Sequence, residues 1–120
     1  GHTSHVFSLV KYEEDGVTCL ASGSHDATVK LWNLSTNALI TTLRGHASHI
    51  YGLAIYSSFG TPCLATGSND CTIKLWNLAS RSEITTLKGH SQPVCGLSSF
   101  RNNDTSYLAS GGYDNNIMIW

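Results

Sequence analysis

Residues 45–76 read GHASHIYGLAIYSSFGTPCLATGSNDCTIKLW, and the same pattern recurs at residues 1–32 and 89–120. Both offsets are 44 residues, with no insertion or deletion between the copies. A glycine–histidine pair, an aspartate and a tryptophan keep their places in every copy. These are Gly1-His2, Asp26 and Trp32; Gly45-His46, Asp70 and Trp76; and Gly89-His90, Asp114 and Trp120. A fixed period of about 40–45 residues indicates that one supersecondary unit is repeated along the chain.

Each copy contains short apolar bursts that are separated by residues typical of turns. In the second copy the bursts are 50–56, 62–67, 72–76 and 83–87. Runs of this length, rich in Val, Ile, Thr and aromatic residues, are typical of strands, and no stretch has a sustained helical period. The predicted fold class is therefore all-β, with eleven strands grouped four, four and three in small antiparallel sheets. Polar joints of four residues are predicted within the first hairpins: 13–16, 57–60 and 101–104.

The whole chain, 1–120, is predicted to be one domain without a linker. Its units are about 1–44, about 45–88, and about 89–120, the last lacking its final strand.

The chain is 41% hydrophobic and 12% charged, and its net charge of −1 gives no case for nucleic acid or an anionic membrane as partner. No apolar run approaches the roughly 20 residues of a membrane helix.

The four cysteines predict neither a zinc site nor a disulfide framework, because there is no CxxC pair. They are Cys19, Cys63, Cys71 and Cys95. The prediction is buried, reduced thiols in an intracellular protein, cytoplasmic or nuclear.

The blocks LASGSHDATVKLWN (20–33), LATGSNDCTIKLWN (64–77) and LASGGYDNNIMIW (108–120), each preceded by Gly-His, resemble the WD-repeat β-propeller family. Asn33 and Asn77 replace the Asp that usually follows the Trp. The resemblance implies four-stranded blades, of which about three are present, so the ring is incomplete. We expect either an excerpt of a larger, seven-bladed propeller or, if the chain is really 120 residues, copies that self-assemble head to tail. The abrupt ends favour the excerpt.

The resemblance also implies a structural hydrogen-bond tetrad in each blade, in which Asp holds His, His meets Ser or Thr, and that hydroxyl meets Trp. The tetrads are His2, Ser22, Asp26 and Trp32; His46, Thr66, Asp70 and Trp76; and His90, Ser110, Asp114 and Trp120. A buried chain with every member satisfied would rigidify its blade.

Two alternatives to the structural tetrad, a hydrolase triad and a metal site, would use some of its residues. A hydrolase triad needs one copy in one cleft, whereas this Ser-His-Asp set occurs at three equivalent places, which favours the structural interpretation. His2-Thr-Ser-His5 and His46-Ala-Ser-His49 have metal-ligand spacing, but they lie in loops with no helix or nearby carboxylate, so no metal and no cofactor is predicted.

In resembling propellers, partners usually bind around the mouth of the central channel. The contact positions flank the first apolar residue of the innermost strand and precede the turn Asp. Here they are His5, Phe7, His25, His49, Tyr51, Asn69, Pro93, Cys95 and Tyr113.

The predicted function is a non-catalytic scaffold that binds peptide or protein partners in a multiprotein complex. The alternative is a regulatory or targeting propeller appended to a ligase, kinase or nucleotide-driven assembly protein. Ser35 and Ala79 stand where some family members carry an Arg that docks a ubiquitin-ligase adaptor.

Overall fold

Every regular element in the computed structural model, which describes residues 1–120, is a β-strand. The strands are β1 (Val6–Glu14), β2 (Val17–Ser24), β3 (Val29–Asn33), β4 (Ala38–Leu43), β5 (Ile50–Ser58), β6 (Thr61–Ser68), β7 (Thr72–Asn77), β8 (Ser82–Lys88), β9 (Val94–Asn102), β10 (Thr105–Gly112) and β11 (Ile117–Ile119). With strands alone, the structure contains no helix that could cross a membrane.

The strands form three antiparallel meanders in chain order. Strands β1–β4 and β5–β8 each make a four-stranded sheet, and β9–β11 make a three-stranded sheet. The pairing register repeats with the sequence, since Leu20 lies opposite Trp32 and Leu64 lies opposite Trp76. The prediction of an all-β fold built from four-stranded antiparallel blades is confirmed, and the third blade is one strand short.

The first hairpin of each blade extends further than the sequence predicted. Strands β1, β5 and β9 pair with their neighbours to their last residues, so two-residue turns replace the predicted four-residue joints. The turns are Asp15-Gly16, Phe59-Gly60 and Asn103-Asp104. Their first residues have φ of 50°, 48° and 55°, as short hairpin turns require. Polar residues common in loops are therefore still part of the ladder here.

The blades stack because the second strand of one packs on the first strand of the next. A Cβ on Gly23 would lie 2.7 Å from Ile50 Cγ2, and one on Gly67 would lie 3.0 Å from Val94 Cγ1. A Cβ would overlap its neighbour at Gly23 and would be in tight contact at Gly67, so the two glycines allow the close approach of neighbouring blades. Between the first and middle blades, Arg81 also donates to the Glu14 carboxylate at 2.7 Å.

Burial follows the stacking. The middle blade is covered on both faces, and its Ile50 and Ile73 are fully buried. The equivalent Val6 of the first blade is 48% exposed, and the equivalent Ile117 of the third is 79% exposed. The same repeat position is thus core in one blade and surface in another, according to its neighbours.

The three blades form a flat arc of 40 × 39 × 18 Å. The first strands β1, β5 and β9 adjoin one another at its inner side, whereas β4 and β8 are outermost in their sheets. We call the edge at which β1, β5 and β9 begin the channel-mouth edge. The first hairpins turn at the opposite edge, because their strands are antiparallel.

The cysteines correct one sequence-based expectation. All four are free, but only Cys19 and Cys63 are buried, in the second strands of their blades. Cys71 and Cys95 are half-buried. Cys71 occupies a turn with φ of 71°, where the chain leaves the sheet, and therefore lies outside the core.

Candidate functional site

The tetrad residues of the middle blade meet in one hydrogen-bonded chain. His46 Nδ1 lies 2.8 Å from Asp70 Oδ2, and His46 Nε2 lies 2.7 Å from Thr66 Oγ1. Trp76 donates its indole N–H to the same Thr66 oxygen at 3.0 Å. Because an indole is a donor only and a hydroxyl both donates and accepts, the chain runs without a conflict from Trp through Thr and His to Asp.

The same three contacts occur in the other two blades. In the first, His2 bridges Asp26 at 2.9 Å and Ser22 at 2.7 Å, and Trp32 donates to Ser22 at 2.9 Å. The corresponding distances in the third blade are 2.8, 2.7 and 2.9 Å. The sequence period therefore places the same four groups together three times.

The tetrad hydroxyls are closed to a substrate. Ser22, Thr66 and Ser110 are 4%, 0% and 1% exposed. Each lies between an imidazole and an indole N–H, so it has no open side from which a carbonyl carbon could be attacked. The geometry can hold a blade rigid, and it offers no accessible nucleophile.

The electrostatics of the middle tetrad favour a neutral imidazole beside an ionised carboxylate. Burial lowers the pKa of His46 although Asp70 acts to raise it. Burial also raises the pKa of Asp70, but hydrogen bonds from Thr72, His46 and the Ala47 N–H outweigh it and lower the pKa to about 2. His46 is then Nδ1–H donor to Asp70 and Nε2 acceptor from Thr66.

Sequence reasoning missed two partners of the tetrad aspartates. Thr72 donates both its N–H and its hydroxyl to Asp70, at 2.9 and 2.6 Å, and Thr28 does the same for Asp26. The N–H of the residue after each tetrad His also donates to Asp, as Ala47 does at 3.1 Å. The threonines repeat in phase, two residues after Asp, which is the signal that could have found them. The backbone donors leave no sequence signal.

The nine predicted partner-contact residues lie at the channel-mouth edge, where short backbone hydrogen bonds keep them together. His25 donates its N–H to the His5 carbonyl at 2.8 Å. Equivalent bonds join Asn69 to His49 and Tyr113 to Pro93, both at 2.9 Å. In each blade the residue before the turn Asp is thereby tied to the residue before the innermost strand.

Five rings from the first two blades form a continuous group, which we call the mouth cluster: His5, Phe7, His25, His49 and Tyr51. The imidazoles of His25 and His49 stack across the blade boundary, with centroids 3.2 Å apart and planes at 13°. Phe7 meets Tyr51 edge to face, with centroids 5.3 Å apart. Phe7 remains 51% exposed, so the group presents ring surface to solvent.

The other four predicted contact residues extend this edge toward the third blade. Asn69 donates to the Ser48 hydroxyl at 3.0 Å. Cys95 lies beside Tyr113, and this contact raises the pKa of the Tyr113 hydroxyl. Tyr113 is 65% exposed, and Pro93 is half-buried.

The histidine pairs with metal-ligand spacing diverge in the structure. His2 and His46 turn into their tetrads, whereas His5 and His49 belong to the mouth cluster. No group of three or more His, Cys, Asp and Glu side chains is arranged to hold a metal ion.

The comparisons with known proteins agree with this geometry. A protein described as probable E3 ubiquitin ligase complex SCF subunit scon-2, from Neurospora crassa, is 41% identical over 49 residues. That alignment covers 35% of this chain and spans 8% of the length of the relative. The family described as WD40 (WD domain, G-beta repeat) matches residues 1–33, 37–77 and 81–120. The chain therefore belongs to the WD40 family, whose repeats typically mediate protein–protein interaction and whose domains are generally non-catalytic.

Proposed function

We propose that this chain is a non-catalytic scaffold that presents its channel-mouth edge to a peptide or protein partner in a multiprotein complex. The observation that carries the proposal is the mouth cluster. It joins rings from two blades on a rigid platform and leaves Phe7 half exposed. Aromatic side chains with polar neighbours are typical anchors of interaction hot spots.

The double variant Phe7→Ala, Tyr51→Ala tests this proposal. We expect its melting temperature to change little, because Phe7 is 51% exposed and Tyr51 is only partly buried. Loss of a hot spot of about 2 kcal/mol would weaken partner binding by about thirtyfold. The measurement is quantitative capture of proteins from the native source by immobilised chain, alongside thermal melting.

Phe59→Ala is the matched control, because Phe59 is a fully exposed aromatic residue in a turn at the opposite edge. It should leave capture unchanged. Capture that depends on Phe59 but not on Phe7 and Tyr51 would place the partner at the wrong edge for the proposal. A large drop in melting temperature of the double variant would instead make the two rings structural.

A second candidate is a regulatory or targeting propeller on the same polypeptide as a ligase, kinase or nucleotide-driven assembly domain. The similarity to the SCF subunit of Neurospora crassa favours it. Ser35 and Ala79, in place of an adaptor-docking Arg, count against the ligase version. Recovery of the native protein with an antibody, followed by intact mass and peptide mapping, tests this candidate. An enzymatic domain on the same polypeptide would support it.

We further propose an intracellular location, cytoplasmic or nuclear. The four free thiols support it, because cysteines generally stay reduced in those compartments. Subcellular fractionation of the source, followed by immunoblotting, tests the location. Recovery of the protein in the secreted fraction would contradict it.

A further inference from the structure

The carboxylates outside the tetrads are unevenly distributed between the two edges of the arc. Four carboxylates lie in the first hairpins or their turns, at the edge opposite the channel mouth: Glu13, Glu14, Asp15 and Asp104. The fifth carboxylate outside the tetrads, Glu83, is bound by Lys74 at 2.8 Å and by Thr86 at 2.6 Å. Its other carboxylate oxygen lies beside Gly45, so Glu83 and the tetrad aspartates are the acidic groups nearest the channel-mouth edge, and all of them are already bound.

Those aspartates are already saturated by internal donors. Their side chains are 9%, 13% and 3% exposed in Asp26, Asp70 and Asp114. Each also accepts at least three hydrogen bonds from its own blade. Their carboxylates are therefore hydrogen-bonded within the blades, and no free carboxylate at this edge would repel an anion.

The same edge carries cationic and proton-accepting groups. Arg44 follows the last residue of β4, and Lys88 ends β8 opposite Thr72, which places both at the channel-mouth edge. Both are exposed, and neither forms an ion pair. Three imidazoles, those of His5, His25 and His49, lie among the rings of the mouth cluster.

The His49 imidazole has a free ring nitrogen for an external proton. His49 Nδ1 lies 2.8 Å from the His25 carbonyl oxygen, so it donates there and leaves the Nε2 lone pair unused. Burial, His49 and His5 together lower the pKa of His25. The titratable groups beside the stack are His5 and Tyr51, which contact its rings, and the tetrad aspartates Asp26 and Asp70, which are bound within their blades, so none is a free carboxylate. No free carboxylate beside the stack would therefore balance a positive charge on its imidazoles.

We propose that the channel mouth binds an acidic peptide segment, whose carboxylates meet His5, His25 and His49 while an apolar side chain packs on Phe7 and Tyr51. This rests on the proposed scaffold function and states the chemistry of its partner. A carboxylate beside these rings favours their protonated form, so binding takes up protons and tightens as the pH falls. Arg44 and Lys88 add a long-range attraction that speeds association and weakens with salt.

The test uses the full chain and three fluorescein-labelled peptides in which Glu, Gln or Lys alternates with Leu and Ser, with fluorescence anisotropy as the readout. We expect the Glu peptide to bind most tightly and to gain on the order of tenfold in affinity between about pH 8 and about pH 6. The Gln peptide should bind weakly at both pH values, and the Lys peptide should not bind.

The variant His25→Gln, His49→Gln keeps polar side chains at both positions and removes two proton acceptors. It should bind the Glu peptide with most of the pH dependence lost. Arg101→Gln, at the opposite edge, is the matched control and should bind as the parent chain does. Thermal melting of each variant verifies that it is folded.

Three results would overturn the inference: equal binding of the Glu and Lys peptides, a pH dependence that survives in the double histidine variant, or tighter binding of a single-stranded oligonucleotide than of the Glu peptide. These results are distinct from failure of the scaffold proposal. One result would separate the two proposals: the Phe7→Ala, Tyr51→Ala variant loses its native partner, and the Glu peptide fails to bind the parent chain. That result would support the channel mouth as the binding site and contradict an acidic partner.

Discussion

The carboxylate of Asp70 accepts four hydrogen bonds, from His46, Thr72 N–H, the Thr72 hydroxyl and Ala47 N–H. Removing it leaves these donors without their partner in a part of the blade that is largely closed to water. Asp70→Ala is expected to lower the free energy of unfolding by about 1–3 kcal/mol. Equilibrium urea unfolding measures the loss.

Asp104→Ala is the control for this prediction, because Asp104 is an exposed turn residue whose side chain makes no hydrogen bond. It should change stability by less than about 0.5 kcal/mol. An Asp70→Ala variant as stable as the parent chain would contradict a structural role for the tetrad.

Acidification is expected to destabilise the fold in two steps. Burial lowers the pKa of His46 below its ordinary 6.5, so the unfolded chain binds a proton that the folded chain does not, and stability falls as the pH drops below 6.5. The pKa of Asp70 is about 2 in the folded chain and 3.8 ordinarily. The stability that this carboxylate contributes above pH 3.8 is therefore lost as the pH falls toward 2.

Urea unfolding at a series of pH values measures both steps, and NMR titration of the imidazole protons locates the His46 midpoint. Asp70→Ala should weaken the lower step, since the carboxyl group is gone. A His46 midpoint above 6.5 would reverse the sign of the upper step and contradict the neutral tautomer.

At the scale of the element, the blade interface offers an internal comparison between equivalent glycines. A Cβ on Gly23 would meet Ile50 Cγ2 at 2.7 Å, whereas one on Gly111 would meet nothing within 4 Å. Gly23→Ala is therefore expected to destabilise the chain by about 1–3 kcal/mol through overpacking. Gly111→Ala, at the same position in the repeat, should change stability by less than about 1 kcal/mol.

Chemical denaturation of both glycine variants measures this difference. Equal effects at the two positions would mean that backbone conformation, rather than blade contact, selects glycine here. The first strands illustrate the same point without a substitution, because Leu53 is 8% exposed and its equivalent Leu9 is 62% exposed. Equivalent strands thus have different packing, and their stability depends on the blade beside them.

At the scale of the whole molecule, the middle blade should be the most protected part of the arc. Strand β6 is buried over six of its eight residues, whereas its equivalent β10 has two buried residues. Local opening is easiest where few apolar contacts must be broken. We therefore expect slower amide exchange in β6 than in β10, measured by hydrogen-exchange mass spectrometry. Faster exchange in β6 would contradict the stacking order.

The sequence by itself determined the repeat, the strand class, the three-blade grouping and the positions of the tetrad residues. These features depend on spacing and on side-chain chemistry, which are written residue by residue and repeat three times. The in-phase threonines Thr28 and Thr72 carried the same information, although the prediction did not use it. The sequence did not determine the strand ends, because polar residues such as Glu14 can either pair or turn.

Only the tertiary structure decided which residues meet between blades. The stack of His25 on His49 and the Glu14–Arg81 ion pair join residues that share no repeat position or local pattern. Each of these contacts occurs once, so no periodicity in the sequence predicts it. The physical reason is that blade-to-blade contacts form when sheets twist and stack, and a linear pattern records the faces of a sheet but not the neighbour that covers them.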